Sequence, residues 1–150
     1  RSPRWNPDAS GSFLGIRMEH EKCDYIRAVL EGVAMNLGII LEKQRENGEI
    51  QDLVLTGGGA KGDTLSQILA DVLGVRLHRL VETATSVAAA VIAGIGVGVF
   101  KDFSVVDQFV KREKTFVPRE EYKPVYDHQK KLFEKGYECL LDYYKMSAEE

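Results

Sequence analysis

A run of glycines between an apolar segment and a segment of helical periodicity constrains this chain more than any other feature. The run reads Thr56-Gly57-Gly58-Gly59-Ala60-Lys61-Gly62-Asp63. Residues 52–56, with Leu53, Val54 and Leu55 at their centre, form a short apolar run that predicts a buried parallel strand. Glycines at such a junction allow positive φ angles and let the backbone approach a ligand closely, and the start of the next helix attracts anions. The pattern therefore predicts a strand, a tight turn and a helix beside a phosphate-bearing ligand.

Helices and a second strand are predicted on both sides of the run. Residues 21–46 have helical spacing, with Asn47-Gly48 as a stop signal. Thr64 and Gln67 have the spacing of a capping box for a helix that ends at Gly74. Residues 75–81 predict the second strand. The resulting β-α-β-α order with short loops predicts parallel strands with right-handed crossovers.

The remaining segments predict a third helix and a long last helix. Thr85 or Ser86 can cap the third helix, which runs to about Gly94 and should be buried because Ala and Val cover all its faces. Residues 120–145 predict an amphipathic helix with a stripe of tyrosines, expected to be core, with a homodimer face as the alternative. Residues 111–123 show no clear pattern. In the first 15 residues, Trp5 and Phe13 are the expected packing anchors.

Composition excludes several classes of protein. The 150 residues carry 20 Lys+Arg against 23 Asp+Glu, a net charge of −3, so we expect no nucleic-acid partner and no acidic membrane partner. The longest apolar stretch, 87–100, is too short to span a bilayer. Two cysteines and three histidines make no disulfide framework and no metal-ligand spacing, and a reducing, cytoplasmic location is expected. Because the chain starts without Met, we expect an excised fragment.

A dinucleotide-binding fingerprint is one interpretation of the glycines. Gly57, Gly59 and Gly62 fit G-x-G-x-x-G, and Glu82 follows at the distance of a ribose-binding acid. This NAD(P)-binding Rossmann domain of an oxidoreductase would need a third parallel strand, which the pattern after Gly94 does not supply. A P-loop is excluded, because no Lys-Ser/Thr pair follows the last glycine.

Several motifs taken together resemble the C-terminal domain of the FGGY carbohydrate kinases. They occur in order from Arg1 to about Phe103, and they are most similar to xylulokinases, with gluconokinases next. The motifs are RSPRWNP at 1–7, GSFLGI at 11–16, RAVLEGVA at 27–34, GGGAK at 57–61 and QILADVLG at 67–74.

The resemblance implies an α/β fragment of the actin/hexokinase/Hsp70-like (ribonuclease H-like) ATPase fold. It also implies transfer of the ATP γ-phosphoryl group to a hydroxyl of xylulose or a related pentulose, with Mg²⁺ as cofactor. Sugar and Mg-ATP would lie in a cleft between two domains. The glycine run would lie against the nucleotide through Gly58, Gly59 and Ala60. Asp63 would lie near the adenine end, and Lys61 is a further nucleotide-binding candidate.

The same resemblance implies what this chain does not contain. The phosphate-binding Asp-Gly-Thr segment, the catalytic Asp, the magnesium ligands and the sugar-binding domain belong elsewhere in such kinases. Residues 1–150 alone are therefore expected to be part of the nucleotide-binding domain and to be inactive. A non-catalytic, actin-like interaction domain is the other alternative. Outside the glycine run, Asp71 and Glu31 are expected to be surface or ion-pair carboxylates, and the three histidines to be ordinary.

Overall fold

The computed structural model describes residues 3–81, 84–109 and 111–149. Glu82, the acid named for the dinucleotide interpretation, lies outside the described residues, as does the side chain of Thr85. The helices and strands follow in this order: α1 Lys22–Arg45, β1 Asp52–Leu55, α2 Asp63–Leu73, β2 Arg76–Leu80, α3 Ala84–Gly96, α4 Val106–Phe109, β3 Arg112–Phe116, α5 Lys123–Cys139 and α6 Leu141–Ser147. Short 3₁₀ helices cover Gly58–Lys61, Phe103–Val105 and Glu120–Tyr122.

The chain divides into two compact units. One comprises Arg1–Glu49, Asp71–Leu73 and Arg119–Glu150, and it is helical. The other comprises Ile50–Ala70 and Gly74–Pro118, and it contains the sheet. We call them the helical unit and the sheet unit.

The sheet unit is built on three strands in the order β1-β2-β3. β1 and β2 are parallel, with Leu53 opposite Leu77, so the predicted parallel pairing is confirmed. β3 is antiparallel to β2, with Phe116 opposite Leu77. The strand that pairs with the second side of β2 is therefore not the third parallel strand that a Rossmann domain needs. β3 was not predicted because only Phe116 of its five residues is buried, which leaves no apolar alternation in the sequence.

Two predictions for the sheet unit are wrong in detail. β1 is an edge strand that alternates between exposed and half-buried residues, with Val54 57% exposed, rather than a strand buried on both faces. Among the described side chains of α3, only Val91 is buried, although burial on all sides was predicted. The prediction rested on the lack of a polar face in a helix of Ala and Val. A lack of polar residues does not establish that other elements pack on every side of the helix.

The helix boundaries follow local signals closely. α1 begins after a capping box between Glu21 and Asp24, within one residue of the predicted start. The capping box predicted at Thr64 is wrong, because α2 begins at Asp63 after Gly62, with no side-chain cap. Gly74 ends α2 in the left-handed conformation at φ 63°, as the stop signal predicts.

The helical unit differs from expectation at both ends of the chain. The predicted last helix is divided at Leu140 into α5 and α6, and of its tyrosines Tyr126 and Tyr144 are buried. Trp5 is 77% exposed and is not a packing anchor. The neighbouring Arg4 lies over the Tyr137 ring instead, 4.0 Å from its centroid. Within the described ranges, none of the helices is long and apolar enough to cross a membrane.

Candidate functional site

The glycine turn, residues 57–62, connects β1 to α2. Gly57 has φ 90° and ψ −175°, a backbone conformation that essentially only glycine adopts. The 3₁₀ helix Gly58–Lys61 follows, and the Ala60 N–H donates to the Gly57 carbonyl at 3.1 Å. Gly62 then caps α2 from extended backbone at φ −88° and ψ 117°. The structure therefore has a tight turn where the sequence predicted one.

The glycines of the turn are not all required by the fold. Gly58, Gly59 and Gly62 do not have positive φ. A Cβ atom at Gly58 or Gly62 would meet nothing within 4 Å, and one at Gly59 would make an ordinary contact with Leu65 at 3.6 Å. Only Gly57 is therefore explained by backbone conformation. At Gly58 and Gly62 the backbone is exposed and the space that a side chain would occupy is empty.

The inner side of the turn is held by a buried serine of α2. The Ser66 side chain is fully buried, and its Oγ lies 2.9 Å from the Gly62 carbonyl and 3.3 Å from the Ala60 carbonyl. Ala60 itself is buried, whereas Gly58, Gly59 and Lys61 are exposed. The turn thus has one anchored side and one open side.

Arg79 of β2 is the centre of a charged cluster beneath the turn. Its side chain is only 11% exposed. It donates to Asp63 Oδ1 at 2.7 Å and to the carbonyls of Ala60 at 3.1 Å and Lys61 at 3.4 Å. Its Nε and Nη2 atoms donate to the two carboxylate oxygens of Glu113 at 3.1 and 3.2 Å. One guanidinium therefore connects the turn, the start of α2 and β3.

Asp63 takes part in this cluster through both carboxylate oxygens. Oδ2 accepts from Lys114 Nζ at 2.6 Å, while Oδ1 accepts from Arg79. Hydrogen bonds from Lys114 and then Arg79 hold the pKa of the Asp63 carboxyl below its ordinary value. The carboxylate is thus fixed at the first residue of α2, next to the predicted nucleotide contacts.

The five predicted site residues lie in the glycine turn and at the first residue of α2, and three residues that were not predicted lie beside them. Gly58, Gly59, Ala60 and Lys61 are consecutive and Asp63 follows one residue later, so their proximity follows from the sequence. Arg79, Glu113 and Lys114 come from strands that lie beside the turn only in the folded chain. The available signal was Arg79 itself, one of two arginines in the segment predicted as the second strand.

The described residues do not provide a site for a metal ion. No group of three or more His, Cys, Asp or Glu side chains among them is arranged to hold one. The Asp63 carboxylate pairs with two cations, which does not suit a magnesium ligand. Magnesium coordination therefore cannot be assigned to this part of the chain.

Comparison with known proteins defines the class. Residues 1–97 match the profile of the C-terminal domain of the FGGY family of carbohydrate kinases. The chain therefore belongs to the FGGY carbohydrate kinases.

Individual relatives agree with this assignment. The chain is 35% identical over 140 residues to a xylulose kinase of Staphylococcus epidermidis, covering 91% of this chain and 28% of that protein. It is 36% identical over 121 residues to a glycerol kinase of Saccharolobus islandicus, covering 78% of this chain and 24% of that protein. The chain therefore spans about a quarter of the length of these relatives.

The fold agrees as well. The structure of ligand-bound xylulose kinase from Lactobacillus acidophilus matches with a TM-score of 0.89 at 28% identity, over 97% of this chain and 30% of that one. The predicted fold class is confirmed: the chain has an α/β fold that forms part of an actin/hexokinase-like ATPase fold. The Rossmann interpretation is wrong, since both the family and the antiparallel β3 contradict it.

Proposed function

We propose that this chain forms the nucleotide-facing part of the C-terminal domain of an ATP-dependent sugar kinase. The complete polypeptide would transfer the γ-phosphoryl group of ATP to a hydroxyl of xylulose or a related pentulose. The open side of the glycine turn carries this proposal. Gly58 is exposed, its φ is not positive and no neighbouring atom lies where its side chain would be. A glycine that the fold does not require is explained by a ligand that approaches the backbone closely.

The backbone of the turn supports a nucleotide in this position. The first N–H groups of a short helix have no acceptor within that helix, so Gly58 and Gly59 present donors towards the open side. The Ala60 N–H is already used by Gly57, so Ala60 contributes by fixing the turn. Lys61 is exposed and adds a positive charge beside the site. Asp63, paired with Arg79 and Lys114, orients the start of α2 and stays a proposed contact near the adenine end.

The chemistry of phosphoryl transfer is mainly positioning and charge stabilisation. This chain would supply neutral backbone donors on one wall of the cleft. We propose that the catalytic base and the sugar contacts come from other parts of the complete polypeptide. Magnesium would neutralise phosphate charge when bound. We therefore expect the 150-residue chain by itself to lack kinase activity, and we place the complete kinase in the cytoplasm.

Nucleotide binding can be tested on the chain directly. We would titrate the ¹⁵N-labelled chain with Mg-ADP and separately with NAD, following the amides of residues 57–63 by NMR. Shifts that saturate with Mg-ADP and not with NAD are expected. A dispersed spectrum in which these amides do not respond to Mg-ADP would contradict the nucleotide site.

The sugar is tested on the complete polypeptide. ATP consumption would be compared with xylulose, gluconate and glycerol as substrates. We expect the highest kcat/KM with xylulose, because the similarity to a xylulose kinase extends over 91% of this chain, against 78% for a glycerol kinase. A higher value with glycerol or gluconate would contradict the pentulose proposal and leave the nucleotide site intact.

A further inference from the structure

We propose that Arg79 is a positioning residue of the nucleotide site, an inference that rests on the proposed function. It does not lie on the open side of the glycine turn. It acts from beneath, by fixing the carbonyls of Ala60 and Lys61 and the carboxylate of Asp63. The backbone donors of Gly58 and Gly59 then face the ligand in one conformation.

The shape of the arginine side chain is what makes this possible. A guanidinium has five donors in one rigid plane, whereas a lysine has three donors on one atom. Arg79 uses Nη1 for the turn and for Asp63, and Nε with Nη2 for Glu113. A lysine could pair with one of these carboxylates, but it could not connect both to the turn. The carbonyls of the turn would then lose buried donors, which costs stability locally.

The charge of the cluster matters as well as its geometry. Two acids, Asp63 and Glu113, face two bases, Arg79 and Lys114, so the four side chains are neutral together. Without the arginine the cluster carries one net negative charge beside the proposed phosphate site. Removal of Arg79 should therefore weaken nucleotide binding in two ways: the turn loosens, and phosphate is repelled.

The same strand offers a matched control. Arg76 lies three residues before Arg79 in β2 and pairs with Asp52 at 2.7 Å, the distance that also joins Arg79 and Asp63. Its side chain is 51% exposed, and its hydrogen bond to Asp52 does not involve the glycine turn. Arg76→Gln removes one β2 arginine and one positive charge, so it controls for the change in net charge.

The experiment compares the wild-type chain with R79Q, R79K and R76Q by two measurements. The first is amide hydrogen exchange of Ala60 without nucleotide, which reports the conformation of the turn. The second is the dissociation constant for Mg-ADP. We expect R79Q to exchange faster at Ala60 and to bind Mg-ADP about tenfold more weakly or worse. R79K should lie between wild type and R79Q, and R76Q should match wild type in both measurements.

Each failure has a distinct meaning. Wild-type exchange and wild-type affinity in folded R79Q would overturn the role of Arg79 alone. Should R79Q not fold, R79K decides, and wild-type affinity in R79K would overturn it equally. A wild-type chain that has no affinity for Mg-ADP contradicts the proposed function itself, whatever the exchange data show.

Discussion

The carboxylate of Asp71 accepts hydrogen bonds from both the backbone and the side chain of Arg119. The Arg119 N–H lies 2.9 Å from Oδ1, and Nη2 and Nε lie 2.6 and 3.1 Å from Oδ2. The Asp71 side chain is fully buried, while that of Arg119 is 41% exposed. This pair fixes the chain that leads into α5 on the last turn of α2. Both residues belong to the helical unit.

Loss of this pair should destabilise the chain strongly. Asp71→Ala removes a buried acceptor that takes one backbone and two side-chain hydrogen bonds from Arg119, and we expect a loss of about 2 kcal/mol in the free energy of unfolding. Urea denaturation measures it. Glu138→Gln is the control, because both side chains of the Glu138–Lys135 pair are exposed and the pair should contribute little to stability. Equal effects of the two substitutions would show that the burial of Asp71 has no energetic consequence.

Neighbouring glycines of the turn should respond differently to substitution. Gly57→Ala forces a side chain into φ 90° and should cost about 1 to 3 kcal/mol of stability. Gly58→Val should leave the urea midpoint nearly unchanged, because a Cβ there meets no atom within 4 Å. It should nevertheless weaken Mg-ADP binding more than about tenfold, since the side chain occupies the ligand's space. An unchanged affinity of Gly58→Val for Mg-ADP would contradict the proposed nucleotide site.

A second pair of glycines tests packing at the end of α3. A Cβ at Gly94 would lie 2.4 and 2.6 Å from ring atoms of Phe100, whereas one at Gly96 would meet nothing within 4 Å. Gly94→Ala should cost about 1 to 3 kcal/mol. Gly96→Ala should be neutral or slightly stabilising, because alanine favours helix. Similar urea midpoints for both variants would mean that the Phe100 ring moves away without cost.

The Asp63 cluster predicts a dependence of stability on pH. Lys114 and Arg79 lower the pKa of the folded Asp63 carboxyl, so its contribution is present above the unfolded value of about 3.9. That contribution is lost as the pH falls through the lowered folded value. The difference in urea midpoint between wild type and Asp63→Asn should therefore shrink between about pH 5 and pH 2. A difference that stays constant across this range would exclude Asp63 as its source.

The parts of the fold that the sequence predicted correctly were mostly indicated by local signals, such as apolar spacing and helix stop residues. Apolar spacing placed α1, and Gly74 marked the end of α2 because the left-handed conformation there favours glycine. The ion pairs expected for Glu31 and Asp71 are present, although Asp71 is buried rather than at the surface. His78 was expected to be ordinary, yet it is buried with its ring nitrogens 2.7 Å from Asp52 and 2.9 Å from Thr115. Partners so distant in the chain leave no local pattern.

The candidate site shows the same division between local and distant information. Its glycines lie side by side in the sequence, and their number and place between a strand and a helix predicted a turn. Arg79, Glu113 and Lys114 meet there only because β3 pairs antiparallel with β2. Phe116 is the only apolar residue of β3, so the sequence carries no apolar alternation there. The strand is held by backbone hydrogen bonds to β2 and by the ion pairs of Glu113 and Lys114. Apolar periodicity therefore could not predict β3, and its two members of the charged cluster, Glu113 and Lys114, were not predicted either.

The position of β3 in the chain has a consequence for how the protein is made. Glu113 follows Arg79 by 34 residues, and Lys114 follows Asp63 by 51. A ribosome therefore releases β1, the glycine turn, α2 and β2 well before the strand that completes their charged cluster. Pairing across such a separation pays a loop-closure cost that local turns do not. A nascent chain that stops after α3 holds every glycine of the turn, yet Arg79 and Asp63 each lack one of their carboxylate or ammonium partners.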